Sequence, residues 1–451
     1  MNRILDRIRW LLLMSLTLPL AVAAQEPLTL RQAIQLALKE SPDSAAARAE
    51  SLQAKAGVQM AQTQLLPQVS FTEDISRGDD PVYAFGTRLR QQRFTQADFA
   101  PASLNTPSAI GNFSTRIGGQ WMLFDSLHAE KSIRGAKLME LSATLSGRAV
   151  DQKVVFSVVA AYQSILYAER EVDVAQHELE TAEALLASAD DHVKAGLAVE
   201  SDRISAQVNV AACKQALIAA QGEVDLAWAQ LRVATGTPDL KQAKLEPIEA
   251  REFPGGELEQ EIANAEKNRQ DLGAMNAAQS AQAEALSASK LGFGPRISAY
   301  GNWETDRASF AGTGGSNWVA GVQIGVDLLP FAKRAQLASD KAAKTRVDAQ
   351  VNSYRQQVRL QVSQAHIQRQ VSQQSLETAR AAIDQATESL RILKNRYGAG
   401  LATITDLLRA EDAGRQAQAN YWRAVYGNTM AYAQLLFATG TLTPDAAEDL
   451  Q

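Results

Sequence analysis

Four segments of the chain alternate between apolar and polar or small side chains with a period of two residues, which is typical of β-strands with two unlike faces. The alternation is clearest at 113–124 and at 317–328. It is weaker but similar at about 66–76 and 295–304. We therefore predict four β-strands, arranged along the chain as two pairs.

Each strand pair is followed by a helical pattern of unusual length. Residues 126–195 contain no proline, and at ~1.5 Å rise per residue they predict a helix on the order of 100 Å long. Residues 332–397 predict its counterpart, in which apolar positions recur at alternating steps of three and four residues. That spacing is the heptad pattern of helices that pair as coiled coils. The positions are Leu376, Ala379, Ile383, Ala386, Leu390, Leu393 and Tyr397.

Shorter helices are predicted around the long ones. A first helix is expected at Thr29–Glu40, opened by a capping box, and a second begins at Ser41-Pro42 with a cap and a proline in its first turn. Further helices are predicted at 201–234 and 401–438, and one short helix precedes the strands of the second half. The economical arrangement places two short helices end to end beside each long one.

The chain contains two copies of one unit. An Ala-Gly-Leu-Ala motif occurs at 195–198 and again at 399–402, which is an offset of 204 positions. Ala-Thr-Gly-Thr motifs follow at the same offset, at 234–237 and 438–441. The two stretches, 195–237 and 399–441, align without a gap, which indicates an internal duplication.

Upstream of the long helices the two copies match at a different offset. The segments around Pro67 and Pro295 align at 228 positions, so the first copy carries 24 additional residues. These residues fall within 77–112, which is rich in Gly, Pro, Asp and Asn. We predict a long loop there, against a short loop at 305–317 in the second copy.

The N-terminus has the composition of a secretory signal peptide, with three arginines, an apolar run and then small residues that end near Ala24. The predicted organisation is a signal peptide at 1–24, a first repeat at 25–235, an equatorial linker at 236–256, a second repeat at 257–438 and a C-terminal tail at 439–451. The first helix, the linker and the tail are expected to form a belt around the middle of the helices.

Composition narrows the classes of function. The only cysteine is Cys213, so no disulfide framework is available. The formal net charge is −5 for the whole chain, and this acidic balance argues against nucleic acid as a partner. Beyond the signal there is no run of ~20 apolar residues, so a membrane contact would have to be made by strands.

Alternation alone also fits an ordinary half-buried sheet in a soluble protein. Membrane strands are favoured because the chain is predicted to be exported and because the strands carry aromatic residues of the kind found at membrane interfaces. These residues are Phe71, Trp121, Phe124, Trp303 and Trp318. Four strands cannot close a barrel, and an open edge in lipid leaves backbone groups without hydrogen bonds. The sequence therefore predicts an oligomer.

Several motifs occur in a fixed order along the chain: Leu28-Thr29-Leu30 followed by Ala33 and Ala37-Leu38, then Leu65-Leu66-Pro67, the Ala-Gly-Leu-Ala turns and the Leu-x-x-Ala-Thr-Gly-Thr endings. In these motifs and in its duplication, the chain beyond the signal resembles the TolC family of outer-membrane efflux proteins. The resemblance implies a mainly α fold with membrane β: a trimeric TolC-like α/β barrel with two tandem repeats per chain. Each chain would give four strands to a 12-strand barrel and long coiled-coil helices to a periplasmic tunnel.

The resemblance also implies a function. Proteins of this family are passive outer-membrane channels of tripartite efflux or type I secretion systems. We therefore expect a homotrimer in the cell outer membrane, in contact with its lipid, with helices extending into the periplasm. It would dock onto an inner-membrane transporter through a periplasmic adaptor protein. Drugs, proteins and metals are alternative cargoes.

In family members the contacts that close the tunnel lie just after the tip turn of each repeat. Carried over by position, the expected gate residues are Ser201 and Asp202 in the first copy and Tyr397, Asp406 and Arg409 in the second. A ring of Asp406 carboxylates would favour cations, although Arg409 stands where a second acidic ring would be. The simpler alternative is that Asp202 and Asp406 only stabilise the first turn of a helix.

The tip turns themselves are the expected docking sites for the adaptor. The resemblance assigns this role to Gly196 and Leu197 in the first copy and to Gly400 and Leu401 in the second. Ala402 stands where an arginine makes a closing salt bridge in the best-known pattern. The closed state is therefore expected to be held in a different way.

Catalysis has little support in the sequence. The four histidines are scattered along helices without a metal-ligand spacing, and we find no nucleophile motif and no phosphate loop. The histidines are His128, His177, His192 and His366. We predict no enzyme activity, no cofactor and no metal site. The alternative class is a periplasmic adaptor or a structural coiled-coil protein of an export complex, but an adaptor would show one helical hairpin in a β-rich chain.

Overall fold

The computed structural model describes residues 27–196, 198–246, 251–447 and 450. The predicted signal peptide at 1–24 lies outside the described residues, as do Leu197 and four positions of the predicted linker. Within the described part of the chain, no helix is both long enough and apolar enough to cross a membrane.

Helices account for most of the described residues. The helices are α1 (Leu30–Glu40), α2 (Pro42–Gln62), α3 (Pro81–Arg90), α4 (Pro101–Asn105), α5 (His128–Lys194), α6 (Glu200–Thr235), α7 (Leu258–Asn268), α8 (Gln270–Leu291), α9 (Phe331–Gly398) and α10 (Ile404–Ala438). The strands are β1 (Gln68–Gly78), β2 (Ile110–Phe124), β3 (Arg296–Arg307) and β4 (Gly314–Gly325). The two long helices, α5 and α9, have 67 and 68 residues.

The four strands form one antiparallel sheet in the order β1-β2-β3-β4. Register aligns Phe71 with Ile117, Ile117 with Trp303 and Trp303 with Trp318, so these four side chains form one row across a single face. Their exposed fractions are 69%, 44%, 41% and 78%. The neighbouring row on the other face is polar and includes the Arg116–Glu304 ion pair at 3.0 Å. The sheet therefore has the two unlike faces that the alternation predicts.

The strands extend beyond the predicted bounds toward the hairpin connections. β3 continues to Arg307 and β4 begins at Gly314, so the connection between them is shorter than the predicted loop at 305–317. β1 and β2 likewise continue their pairing to Gly78 and Ile110. Hydrogen bonding of the ladder carries these strands past the end of the apolar alternation.

The additional residues of the first copy form helices, so the prediction of a long loop at 77–112 is wrong. Asp80 is the N-cap of α3 and accepts a hydrogen bond from the Tyr83 amide (2.8 Å), and Pro81 stands in the first turn. The Asp and Pro residues that indicated a loop therefore open a helix. Three phenylalanines pack edge to face beside it, at centroid distances of 4.8 to 6.4 Å. They are Phe85, Phe94 and Phe99.

The single short helix expected before the strands of the second copy is divided into α7 and α8. The division at Arg269 lies 228 positions after Ser41, which divides α1 from α2, and both residues have extended backbone. The opening helix therefore belongs to the duplicated unit and occurs twice. The Arg269 guanidinium stabilises the division, since it donates hydrogen bonds to Asp271 (2.5 and 3.0 Å) and Gln361 (2.6 Å).

The described residues form two compact units. The helical unit takes the described parts of Met1–Ser44, Asp151–Leu258 and Val362–Gln451, and the sheet unit takes Ala45–Val150 and Glu259–Gln361. The core of the helical unit includes the fully buried side chains of Tyr162, Ile165, Trp228 and Leu231.

The linker is fastened to the helices of the helical unit. The Phe253 ring stacks on Tyr432 of α10 at 4.4 Å, and its carbonyl accepts a hydrogen bond from Arg369 of α9 (2.9 Å). Asn428 of α10 donates to the Arg251 carbonyl (3.1 Å). These contacts connect α9 and α10 through residues that are not part of either helix.

Candidate functional site

The long helix of the second repeat ends in a Schellman motif, a helix ending that requires left-handed backbone at one position. Gly400 occupies this position with a φ of +74°. Its amide donates to the Tyr397 carbonyl (2.9 Å), and the Leu401 amide donates to the Arg396 carbonyl (2.8 Å). Glycine is favoured because a left-handed φ is strained for residues with a Cβ atom.

The first repeat ends its long helix in the same way. Gly196 has a φ of +73°, and its amide donates to the Val193 carbonyl (3.0 Å). The partner position Leu197 lies outside the described residues. A Cβ atom added at either Gly196 or Gly400 would meet nothing within 4 Å. Gly196 and Gly400, the glycines of the two tip turns, therefore share a left-handed backbone and face open space.

The opposite ends of the partner helices repeat this motif. Gly236 and Gly440 follow α6 and α10 with φ angles of +69° and +73°, again 204 positions apart. At Gly236 there is no room for a side chain, because an added Cβ atom would lie 2.8 Å from the Glu40 carbonyl oxygen. Left-handed glycines thus mark both ends of the repeat, but the two ends differ in how much room they leave.

The helix that follows each tip turn begins differently in the two repeats. Thr403 caps α10 and forms a capping box with Asp406: the threonine hydroxyl accepts from the Asp406 amide (3.2 Å), and the threonine amide donates to the Asp406 carboxylate (3.2 Å). The hydroxyl also donates to this carboxylate (2.7 Å). These hydrogen bonds from Thr403 are the main reason that the pKa of Asp406 lies below its usual value, and Arg409 adds a smaller attraction. Val199 holds the equivalent position before α6 and makes no side-chain cap.

The first-copy gate residues lie in the first turn of α6. Ser201 is exposed, and Asp202 is partly exposed. The Asp202 amide donates to the Val199 carbonyl (2.9 Å), whereas its carboxylate makes no hydrogen bond within the described chain. Asp202 is therefore available for a contact outside its own helix turn.

Tyr397 is the one aromatic member of the gate set, and it packs on a small apolar core where four helices meet. This core comprises Leu185, Ala189, Ala206, Ile404 and Leu407. The Tyr397 ring lies 5.7 Å from the His192 ring, and its hydroxyl oxygen is buried with no hydrogen-bond partner among the described residues. Burial raises the pKa of Tyr397, and the negative charge of Asp202 raises it further.

The structure therefore places the predicted gate residues of both repeats at one end of the helical unit. Tyr397 and Asp202 are close enough to interact electrostatically, and Asp406 and Arg409 interact along one helix face. Thr403 was missed by the sequence reasoning, although Thr-x-x-Asp ahead of an apolar helix is a capping signature that could have found it. The arrangement offers hydrogen bonds and charges but holds no group set for catalysis.

Two repeats of long paired helices, each carrying two antiparallel strands, define the class of TolC-like outer-membrane channels. The solved structures with this fold include the Campylobacter jejuni CmeC outer membrane channel, with a TM-score of 0.78, 17% identity and coverage of 91% of this chain and 85% of that chain. The outer membrane protein VceC from Vibrio cholerae is similar, with a TM-score of 0.76, 17% identity and coverage of 91% and 96%. The open state of the Neisseria gonorrhoeae MtrE outer membrane channel has a TM-score of 0.74, 18% identity and coverage of 92% and 91%.

The sequence itself also carries the family signal. The model of the outer membrane efflux protein family matches residues 33–237 and 262–441, and the chain belongs to this family. No curated protein sequence matches the chain significantly. Family membership confirms the predicted resemblance and fold class and the prediction that the protein is a transport channel rather than an enzyme.

Proposed function

We propose that the protein is the passive exit duct of a tripartite efflux or type I secretion system, as a homotrimer in the outer membrane with its helices in the periplasm. The observation that carries the proposal is the row of Phe71, Ile117, Trp303 and Trp318, which crosses all four strands and remains exposed. A continuous apolar row of this kind is stable when lipid covers it.

The edges of the sheet support a trimer. β1 and β4 are the outer strands, and each pairs on one side only within the chain. Backbone groups on an open edge lack partners in lipid, so the edges require pairing with strands of further copies. Family membership favours three copies joined edge to edge.

Assembly is tested by fractionating cells that express the full chain. The expected result is a heat-resistant trimer in the outer-membrane fraction, visible by its migration before and after boiling. A monomer in the soluble periplasmic fraction would contradict the proposal and would favour a periplasmic adaptor. The variant Trp318→Ser removes the most exposed member of the row and should reduce membrane insertion without changing the helical unit.

We further propose that the tip turns bind a periplasmic adaptor, which connects the channel to an inner-membrane transporter. Support comes from their position at the ends of the long helices and from the open space around Gly196 and Gly400. A side chain added there projects outward rather than into the chain's own core. Such a site suits contact with another protein more than a structural role.

Docking is tested with two substitutions at Gly400, which distinguish the effect of a large side chain from the effect of a strained left-handed backbone. Gly400→Trp should abolish export while surface insertion stays intact, because the indole blocks the contact. Gly400→Ala imposes the same left-handed strain of about 1–2 kcal/mol without the bulk, and it should retain export. Normal export by Gly400→Trp, or equal loss in both variants, would count against docking at this turn.

The gate is proposed to involve Ser201, Asp202, Tyr397, Asp406 and Arg409. Their common position at one end of the helical unit supports this, and three Asp406 carboxylates in a trimer would form an acidic ring. The capping box offers the simpler explanation for Asp406, since Thr403 already binds its carboxylate.

Two variants separate the gate from the cap. Asp406→Ala should change single-channel conductance, or its block by divalent cations, in planar bilayers. Thr403→Ala weakens the cap but keeps the carboxylate, and it should leave both quantities near wild type. Unchanged conductance and block in Asp406→Ala, or the same change in both variants, would reject the gate role.

A further inference from the structure

A cavity of about 210 Å³, open to solvent on one side, lies among α5, α6, α9 and α10 of the helical unit. Ile383 and Leu390 give it an apolar wall on α9, and Leu390 also contacts the apolar core at the tip. The remaining lining is mostly polar or charged. The cavity therefore lies next to the apolar core on which Tyr397 packs, but most of its own lining is polar.

Glu178 occupies a position in α5 where the heptad pattern calls for an apolar residue. The buried residues Ala175, Ala182, Leu185 and Ala189 continue the alternating steps of three and four on either side of it. A charged side chain at such a seam position loses hydration and is costly unless it is paired. The protonation of Glu178 should therefore depend on the charged groups around it.

The Arg415 guanidinium lies near two carboxylates of the cavity. Arg415 Nε lies 3.6 Å from Glu178, and its Nη2 lies 3.5 Å from Asp412. The Glu411 Oε1 atom is buried without a hydrogen-bond partner in the described chain. The ionisable groups around Glu178 are Glu171 and His177 on α5, Cys213 on α6, and Glu411, Asp412 and Arg415 on α10. Lys394 on α9 acts on Glu411. Beside Glu178, three carboxyl groups stand against the two cationic side chains of Arg415 and Lys394.

The balance of these groups decides the protonation of Glu178. Burial raises the pKa of Glu178 to about 7, and Asp412, Glu171 and Glu411 add to the rise while Arg415 opposes it. Burial also raises the pKa of Glu411, with Lys394 acting in the opposite direction. The cavity therefore holds one carboxyl group, that of Glu178, that keeps a proton up to about neutral pH.

We propose that this acidic cavity is a proton-responsive joint between the two repeats, which packs closed while Glu178 is protonated and admits water when Glu178 is charged. The two sides of the joint are α5 of the first repeat and α10 of the second, whose Glu178 and Arg415 side chains lie 3.6 Å apart. The inference goes beyond the proposed docking and gate roles, since none of the residues around Glu178 is assigned to docking or to the gate.

The direction of the pH effect follows from the sign of the shift. The pKa of Glu178 is higher in the packed state than its ordinary value of 4.5, so the packed state holds the proton more tightly. The stabilisation is fully present below about pH 4.5 and is lost as the pH rises through about 7. The cavity should therefore open on the alkaline side of neutrality.

Cys213 provides a probe at the site, because it lines the cavity and is the only cysteine of the chain. The full-length channel, reconstituted in detergent, is alkylated with N-ethylmaleimide between about pH 5 and pH 8. Rates are divided by those of Cys213→Ser/Ala212→Cys, which moves the thiol to an exposed position on the same helix. Burial raises the pKa of Cys213 above 9.0, so thiol ionisation does not produce a midpoint near 7.

The normalised rate should rise at least roughly tenfold, with its half-maximum near pH 7, because each unit by which the pKa of Glu178 lies above 4.5 changes the opening equilibrium about tenfold. Glu178→Gln should abolish the rise. Glu411→Gln removes a charge that raises the pKa of Glu178 and should lower the midpoint, whereas Arg415→Gln should raise it. A flat normalised rate in the wild type overturns the proposal. So does a midpoint that all three variants leave unchanged, or one that Glu411→Gln and Arg415→Gln shift in the same direction.

Discussion

Replacing Gly236 with alanine should destabilise the protein more than the same replacement at Gly400. Both glycines have nearly the same left-handed backbone, with φ angles of +69° and +74°. They differ in their surroundings. An added methyl group at Gly236 would lie 2.8 Å from the Glu40 carbonyl oxygen and 3.0 Å from the Ser41 Cα atom, whereas nothing lies within 4 Å of one at Gly400.

The magnitudes follow from these two terms. Left-handed backbone costs an alanine about 1–2 kcal/mol at either position. At Gly236 the contacts are with backbone atoms that cannot rotate away, so overpacking adds roughly 1–3 kcal/mol. We therefore expect a loss of about 1–2 kcal/mol for Gly400→Ala and about 2–5 kcal/mol for Gly236→Ala.

The comparison is made by urea unfolding of the purified protein, followed by helical circular dichroism, with the urea slope fitted separately for each variant. Gly400→Asn serves as a control for backbone strain, because asparagine tolerates the left-handed region better than alanine and should recover part of the loss. Equal losses at the two positions would refute the contact with Glu40. A full loss retained in Gly400→Asn would refute the strain argument.

Two further predictions concern the tip. Val199→Thr should create in the first repeat the cap that Thr403 makes in the second, and it should stabilise the protein by about 1 kcal/mol in the same urea assay. No gain would show that the α6 terminus cannot adopt the Thr403 geometry. Tyr397→Phe removes a buried hydroxyl without a partner in the described chain and should raise the unfolding free energy by about 1 kcal/mol. A decrease would indicate that this hydroxyl is bound in the assembled channel.

Features fixed by local backbone geometry could be read from the sequence. The glycines of the tip turns and of the helix ends are required by left-handed φ angles, so the duplication preserved them and their offset of 204 was visible. The strands were likewise visible from alternation. Their bounds were not, since pairing extends β3 to Arg307 beyond the apolar pattern.

Features fixed by distant contacts could not be read in this way. Arg269 has no intrinsic tendency to end a helix, and the division there depends on Asp271 and on Gln361, which lies 92 positions away. The cavity around Glu178 depends on Arg415 from the other repeat. The sequence does show a glutamate at an apolar seam position of α5. It does not show that Arg415 and the carboxyl groups of α10 lie beside that glutamate.

The additional residues of the first copy, which include α3, pack closely against the β3–β4 hairpin. This contact limits the positions at which an epitope tag can be inserted. A Cβ atom at Gly315 would collide with the Arg90 carbonyl oxygen at the end of α3, so only glycine fits beneath this turn. An epitope tag placed after Arg90 would separate the insertion from the hairpin. Ser108, which is exposed between α4 and β2, accepts added residues without disturbing that contact and is the position of choice for a surface tag.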